Sequence, residues 1–243
     1  MSDEKSATTA EHASRVREMF GTIAARYDLL NHLLSGNVDK RWRRLVAKTL
    51  SATLSNRDAC VLDVACGTGD LSLTLSEAAD ARIVGIDFCR PMLAIAASKA
   101  AKSDSRVPFI EGDALRLPFG DRSFEAATIA FGLRNLGSVE AGLRELLRVL
   151  KPGGRLVVLE FSKPKIAVMR VLFGVYFTRI LPTVGGWLSG SKSAYQYLPD
   201  SVSRFPDQLE LASSMREAGF EEVSFRNLTG GIAALHVGER PGS

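Results

Sequence analysis

Residues 61–70 read Val-Leu-Asp-Val-Ala-Cys-Gly-Thr-Gly-Asp. Val61, Leu62 and Val64 have the character of a parallel strand buried on both faces, and the run ends in a glycine turn and the start of a helix. Gly67 and Gly69 let the backbone approach a ligand where a side chain would collide. Downstream, Arg82-Ile-Val-Gly-Ile-Asp87 reads as a second strand ending in an acid. A carboxylate in that place is able to accept both hydroxyls of a ribose.

The glycine spacing alone fits a nicotinamide enzyme nearly as well, because Gly67-x-Gly69-x-x-Ser72 is one glycine short of the dinucleotide fingerprint G-x-G-x-x-G. Asp63 tilts the choice. A carboxylate in the turn region would repel a pyrophosphate and welcome an ammonium group. S-adenosyl-L-methionine carries that ammonium together with a ribose, so Asp63, Gly67, Gly69 and Asp87 are the expected cofactor contacts. The competing reading is a glycine turn that serves only strand-to-helix packing.

A chain of 243 residues with 46% hydrophobic and 24% charged content fits one α/β domain with extensions. The net charge of +4 is spread along the chain among interspersed acids, which argues against a nucleic-acid partner. Cys60, Cys66 and Cys89 have neither an even count nor C-x-x-C spacing, so reduced thiols in a cytoplasmic protein are expected, most simply as small buried hydrophobes. Residues 1–14 are polar and lack the apolar core of a signal peptide; a disordered tail is expected there. No His, Cys or carboxylate group has metal-ligand spacing.

Residues 15–50 carry Val16, Met19, Phe20, Ile23, Tyr27 and Leu30 at helical spacing, then a basic segment around Trp42, and predict a helical N-terminal extension. From residue 51 to 243 the pattern alternates: strands near 60–65, 82–87, 107–111, 124–130 and 154–160, helices near 70–79, 91–101, 138–150 and 207–219. Alternation of this kind specifies an α/β fold with a mostly parallel sheet and helices on both faces. Pro152-Gly153-Gly154 is expected to form the turn after the helix ending at Leu150, and 222–228 with 232–238 a closing antiparallel hairpin across Thr229-Gly230-Gly231.

The stretch 165–206 departs from the alternation and predicts a lid. Met169, Leu172, Phe173, Tyr176, Phe177 and Ile180 form an apolar stripe, which reads either as core or as a groove for an apolar tail. Pro182 and Gly185-Gly186 then introduce a polar loop with Tyr195, Tyr197 and Asp200. A helix over 166–181 would be about 24 Å long, shorter than a bilayer's hydrocarbon core, and arginines interrupt it.

In open α/β sheets ligands bind beyond the carboxyl ends of the strands. After the third strand comes Glu-Gly-Asp113-Ala114, where Asp113 is placed to accept from an adenine amino group and the Ala114 amide to donate to the ring; a plain Asp turn is the alternative. After the fourth comes Ala-Phe-Gly-Leu-Arg134-Asn135, beside the expected methyl group. A guanidinium there is costly unless an anion or a hydrogen-bond partner answers it, so Arg134 is either a substrate group or half of a structural salt bridge.

FGLRN at 131–135, LKPGGRLVVLEFSKP at 150–164, YDLLN at 27–31, FPDQ at 205–208 and NLTGGIAALH at 227–236 resemble the ubiquinone and menaquinone biosynthesis C-methyltransferases over about residues 15–240. The resemblance implies a class I S-adenosylmethionine-dependent methyltransferase (Rossmann-like) fold with a prenylated quinol as acceptor. It implies Thr68, Asp87, Asp113 and Ala114 as cofactor contacts and Tyr27, Arg134 and Asn135 as the quinol-facing set. Where some relatives have a serine at the cofactor, this chain has Ala130. The implied reaction turns demethylmenaquinol into menaquinol; methylation of a polyprenyl methoxy-benzoquinol is the alternative. Arg134 would stabilise the ionised ring hydroxyl and Asn135 would orient the ring. An apolar acceptor is compatible with peripheral contact at the inner face of the plasma membrane, and a homo-oligomer is equally compatible with the sequence.

Two rivals use the same turn. A dinucleotide oxidoreductase needs room for a pyrophosphate over Asp63. A nucleic-acid methyltransferase usually carries an Asp/Asn-Pro-Pro-aromatic element where this chain has FGLRN.

Overall fold

The computed structural model describes residues 14–24, 27–28, 35–164, 174 and 192–242. Five parallel strands are built from the expected apolar runs: β1 (Cys60–Val64), β2 (Arg82–Asp87), β3 (Phe109–Glu111), β4 (Phe124–Ala130) and β5 (Leu150–Phe161). Then β6 (Glu221–Leu228) and β7 (Ala233–Glu239) close the sheet as an antiparallel hairpin. The strand order is β3-β2-β1-β4-β5-β7-β6, with β7 antiparallel to β5. The order reverses between β1 and β4, which opens a crevice at their carboxyl ends.

Alternation along each strand feeds two cores. Leu62, Val64, Ile86, Ile129 and Val158 pack with Leu143 and Leu146 of α6 (Val139–Val149) and with Leu211 and Met215 of α8 (Gln208–Glu217). On the other face Val61, Ile83, Val157 and Leu159 pack with Trp42 and Val46 of α2 (Val38–Thr49) and with Leu71 and Leu75 of α4 (Asp70–Glu77). The short α3 (Ser51–Leu54) links α2 to β1, and α5 (Arg90–Lys102) follows β2.

The N-terminal extension is helical at residues 14–24 (α1) and again in α2, after a turn at Gly36-Asn37. The basic segment around Trp42 is amphipathic: Trp42, Arg43, Val46 and Ala47 are buried, whereas Lys40, Arg41, Arg44 and Lys48 are exposed.

Three expectations are corrected. The third strand starts at Phe109 and not at 107, because Pro108 has no N–H for the ladder; its carbonyl accepts from Gly85 N at 3.0 Å. The Pro152-Gly153-Gly154 turn falls inside β5, as a bulge between the pairs Phe124–Leu150 and Ala126–Arg155. The polar loop containing Tyr195, Tyr197 and Asp200 lies in a helix, α7 (Lys192–Arg204), which tolerates Pro199 in its interior. The tail 1–13, the stripe Met169 to Ile180 and the stretch 181–191 lie outside the described residues.

Candidate active site

The carboxyl ends of β1, β2 and β4 open into a cavity of about 850 Å³, enough for a nucleoside cofactor and an aromatic ring together. Gly67, Asp87, Asp113, Ala114, Tyr27 and Asn135 line it, as do Phe88, Leu115, Phe131 and Leu136. Ala130, the departure noted above, also lines it.

Asp87 shapes the cofactor end. It is buried, and its two oxygens accept from Gly67 N and Cys89 N, each at 2.8 Å. Burial pushes its pKa up, against the pull of those two amides. The carboxylate therefore holds the glycine turn to β2 before any ligand arrives, and each oxygen keeps a lone pair for a ribose hydroxyl. Gly69 sits at φ 82 with its missing Cβ only 2.9 Å from Ala96 and from the Phe109 ring, so only glycine fits there. It packs the turn and does not line the cavity. Asp113 uses Oδ1 to accept from Leu115 N at 2.8 Å, a turn contact, while the residue also lines the cavity; the two readings of it coexist.

Asp63 is held inside the fold. It is fully buried, lies outside the cavity lining, and accepts from Ser72 Oγ at 2.5 Å and Thr128 Oγ1 at 2.8 Å. Burial pushes its pKa up to about 6, the two hydroxyls pulling the other way. It braces β1 against α4 and β4. Thr68 is also buried and outside the lining; its hydroxyl donates to Asp28 Oδ1 at 2.5 Å.

At the other end the turn after β4 is strained. Phe131 holds φ 56, a costly value for an aromatic residue, and its N–H donates to Leu159 O at 2.8 Å. Ala65, which follows β1, holds φ 51, and both residues line the cavity. The Phe131 carbonyl accepts from Arg134 Nη1 at 2.5 Å and Asn135 Nδ2 at 3.3 Å. Asn135 Oδ1 accepts from Tyr197 of α7 at 3.1 Å.

Arg134 is held inside the fold as well. It does not line the cavity: its side chain is 5% exposed and its Nη1 donates to Glu160 Oε1 at 2.6 Å, with Glu160 itself 2% exposed. The salt-bridge alternative is what the fold contains. Glu160, on β5, is a site-supporting residue that sequence reasoning did not single out, and Tyr197, expected only in a polar loop, is another. The acid within the apolar run Leu-Val-Val-Leu-Glu160-Phe was the available signal, since such a carboxylate must find a partner. His236 is buried outside the cavity lining, and its Nε2–H donates to the Gln208 carbonyl at 2.9 Å, a structural contact.

Comparison with known proteins adds to this geometry. The family model of the ubiE/COQ5 methyltransferase family matches residues 8–240. The chain belongs to that family. Demethylmenaquinone methyltransferase of Thermus thermophilus is 52% identical over 92% of this chain and 100% of its own length. Ubiquinone/menaquinone biosynthesis C-methyltransferase UbiE of Geobacter sp. strain M21 is 45% identical over 95% of this chain and 98% of its own. Among solved structures, the [4+2]-cyclase SpnF superposes with a TM-score of 0.69 at 21% identity, covering 94% of this chain and 96% of that one. This last likeness concerns the fold alone; the site decides the chemistry.

Proposed function

We propose that this family member transfers the methyl group of S-adenosylmethionine to a ring carbon of a prenylated quinol, converting demethylmenaquinol to menaquinol. The observation that carries the reading is one cavity walled at one end by Asp87, Asp113 and Ala114, with Tyr27 packed beside Phe88, and at the β4 end by Phe131 and Asn135. The polar end suits a nucleoside: Asp87 for the ribose, Asp113 and Ala114 for the adenine edge, Phe88 and Leu115 for its faces. The aromatic end suits a flat quinol ring, with the Asn135 amide addressing a ring hydroxyl.

The methyl on a sulfonium is already activated, so the chain's task is alignment and stabilisation of the ionised ring hydroxyl. Asn135 is the group that meets that oxygen. Arg134 works from behind, fixing the Phe131 carbonyl and with it the turn that presents Asn135 and Phe131. Its charge is largely answered by Glu160, so Arg134 contributes position more than field.

A dinucleotide fits less well. Ser72 stands where the dinucleotide fingerprint has its third glycine, and its hydroxyl is held by Asp63. An apolar acceptor has to be drawn from a membrane, and the exposed Lys40, Arg41, Arg44 and Lys48 of α2 offer a basic face to an anionic lipid surface. No helix among the described residues is long and apolar enough to cross one.

The test is to titrate the protein with S-adenosylmethionine by calorimetry and then supply demethylmenaquinol or a polyprenyl methoxy-benzoquinol of equal tail length. Methylation of the naphthoquinol ring carbon, read by mass spectrometry, is expected. Exclusive methylation of the benzoquinol would move the assignment to ubiquinone synthesis, and no cofactor binding would remove the activity altogether.

A further inference from the structure

Asp28 adjoins Tyr27 in the chain, and Tyr27 lines the cavity together with Phe20 of α1; the two rings meet edge to face at 5.8 Å. The polar links described between this aromatic wall and the glycine turn run through Asp28. Its Oδ1 accepts from Thr68 Oγ1 at 2.5 Å, in the turn, and its Oδ2 accepts from Lys99 Nζ at 2.9 Å, on α5. Lys99 also binds Asp70, the first residue of α4, and Asp70 Oδ2 lies 3.5 Å from Arg43 Nη2 on α2. Arg43 is buried and paired with Asp39. One charge network thus ties segment 27–28 to α2, α4 and α5 beneath the cofactor turn.

We propose that Asp28 is a positioning residue for the methyl donor: by fastening segment 27–28 to Thr68 and Lys99 it sets Tyr27 as one wall of the cofactor cavity. The inference rests on the donor assigned above. It also gives Thr68 a definite part, since its hydroxyl is spent on Asp28 and the residue acts on the cofactor through the wall it anchors. Neither Asp28, Thr68 nor Lys99 lines the cavity, so each acts through the residues that do.

The acidic pair Asp28 and Asp70 shares Lys99, whose side chain is 27% exposed, as is that of Asp28. Such a partly exposed bridge adds modestly to the hold that the Thr68 hydrogen bond gives the segment.

The test is a double-mutant cycle on S-adenosylmethionine affinity in the full-length protein. Asp28→Ala is expected to raise the dissociation constant about tenfold, in line with losing charge-assisted hydrogen bonds. Asp28→Asn keeps an acceptor for Thr68 and loses the charge for Lys99, so it should fall between. If Asp28 acts through Tyr27, then Asp28→Ala added to Tyr27→Ala costs little more than Tyr27→Ala alone, because coupled residues are non-additive. Lys99→Met, outside the cavity, should weaken binding in the same direction while kcat at saturating donor is retained.

Fully additive effects, or unchanged affinity in both Asp28→Ala and Lys99→Met, would overturn the proposal. Thermal unfolding of each variant separates a fallen wall from a damaged fold: a lower Tm in Asp28→Ala with parent-like affinity in Asp28→Asn and Lys99→Met would also overturn it. Failure of the parent protein to bind S-adenosylmethionine at all would count against the methyl-donor assignment and not against the anchoring.

Discussion

Arg134 and Glu160 meet at 2.6 Å in a pocket where neither side chain is more than 5% exposed. The same guanidinium holds the carbonyl of strained Phe131, and its Nε has no partner among the described residues. Removing one member of such a pair strands a buried charge, which costs about 3–5 kcal/mol, whereas replacing both by apolar groups is often near neutral. Glu160→Gln is therefore expected to lose several-fold more stability in urea than the double variant Arg134→Met/Glu160→Met. The double variant should fold yet transfer methyl slowly, because the Phe131 carbonyl and Asn135 lose their support. Parent-like turnover in the double variant would reduce the pair to packing.

Asp87 has two duties that separate by substitution. Asp87→Ala removes the acceptor for Gly67 and Cys89 as well as any ribose contact, and charge-assisted bonds of this kind are worth about 1.5–3 kcal/mol each. Both Tm and cofactor affinity should fall. Asp87→Asn keeps one acceptor oxygen, so calorimetry should show a smaller affinity loss with most of the Tm retained. Unchanged affinity in both variants would take Asp87 out of the ribose site.

Much of this was legible in the chain because it depends on short-range pattern. Buried parallel strands announce themselves as apolar runs, and the residues after them, Gly67, Asp87, Asp113 and Asn135, reach the cavity because strand ends do. The two-residue period of a strand puts Asp63 on the same face as Val61, toward α4, where it meets Ser72, a contact that the turn motif alone does not announce. Arg134 could not be assigned from sequence, since its partner Glu160 is distant in the chain and only the pairing of β4 with β5 brings them together. Helix α7 was hidden by Pro199, which reads as a breaker when its tertiary surroundings are unknown.

Gly132 and Ala65 form the seam between the two strained turns. A Cβ on Gly132 would lie 2.5 Å from the Ala65 Cβ, closer than real carbons come. Gly132→Ala should therefore destabilise by about 1–3 kcal/mol through overpacking and displace the Phe131 turn, lowering methyl transfer more than cofactor binding. Ala65→Gly removes the carbon that is struck and suits φ 51 at that position. The double variant should recover most of the Tm; no rescue would mean that the clash is relieved elsewhere.

Asp63 predicts a stability profile that falls with rising pH across the acid range. Its folded pKa of about 6 lies above the ordinary 3.8, so the folded state holds the proton more tightly than the unfolded chain. The contribution is fully present below the ordinary value and is lost as pH rises through about 6, amounting to at most about 3 kcal/mol. Asp87 shifts in the same direction, whereas His236, whose pKa burial lowers, tilts the curve the opposite way. The quantity to read is therefore the difference between parent and Asp63→Asn, in which a neutral amide of the same shape meets the rotatable hydroxyls of Ser72 and Thr128. Measured by urea unfolding, the variant should match the parent near pH 4 and exceed it increasingly up to pH 7. Parallel curves over that range would show that Asp63 ionises in the folded protein as readily as in the unfolded one, and that the two hydroxyls fully offset its burial.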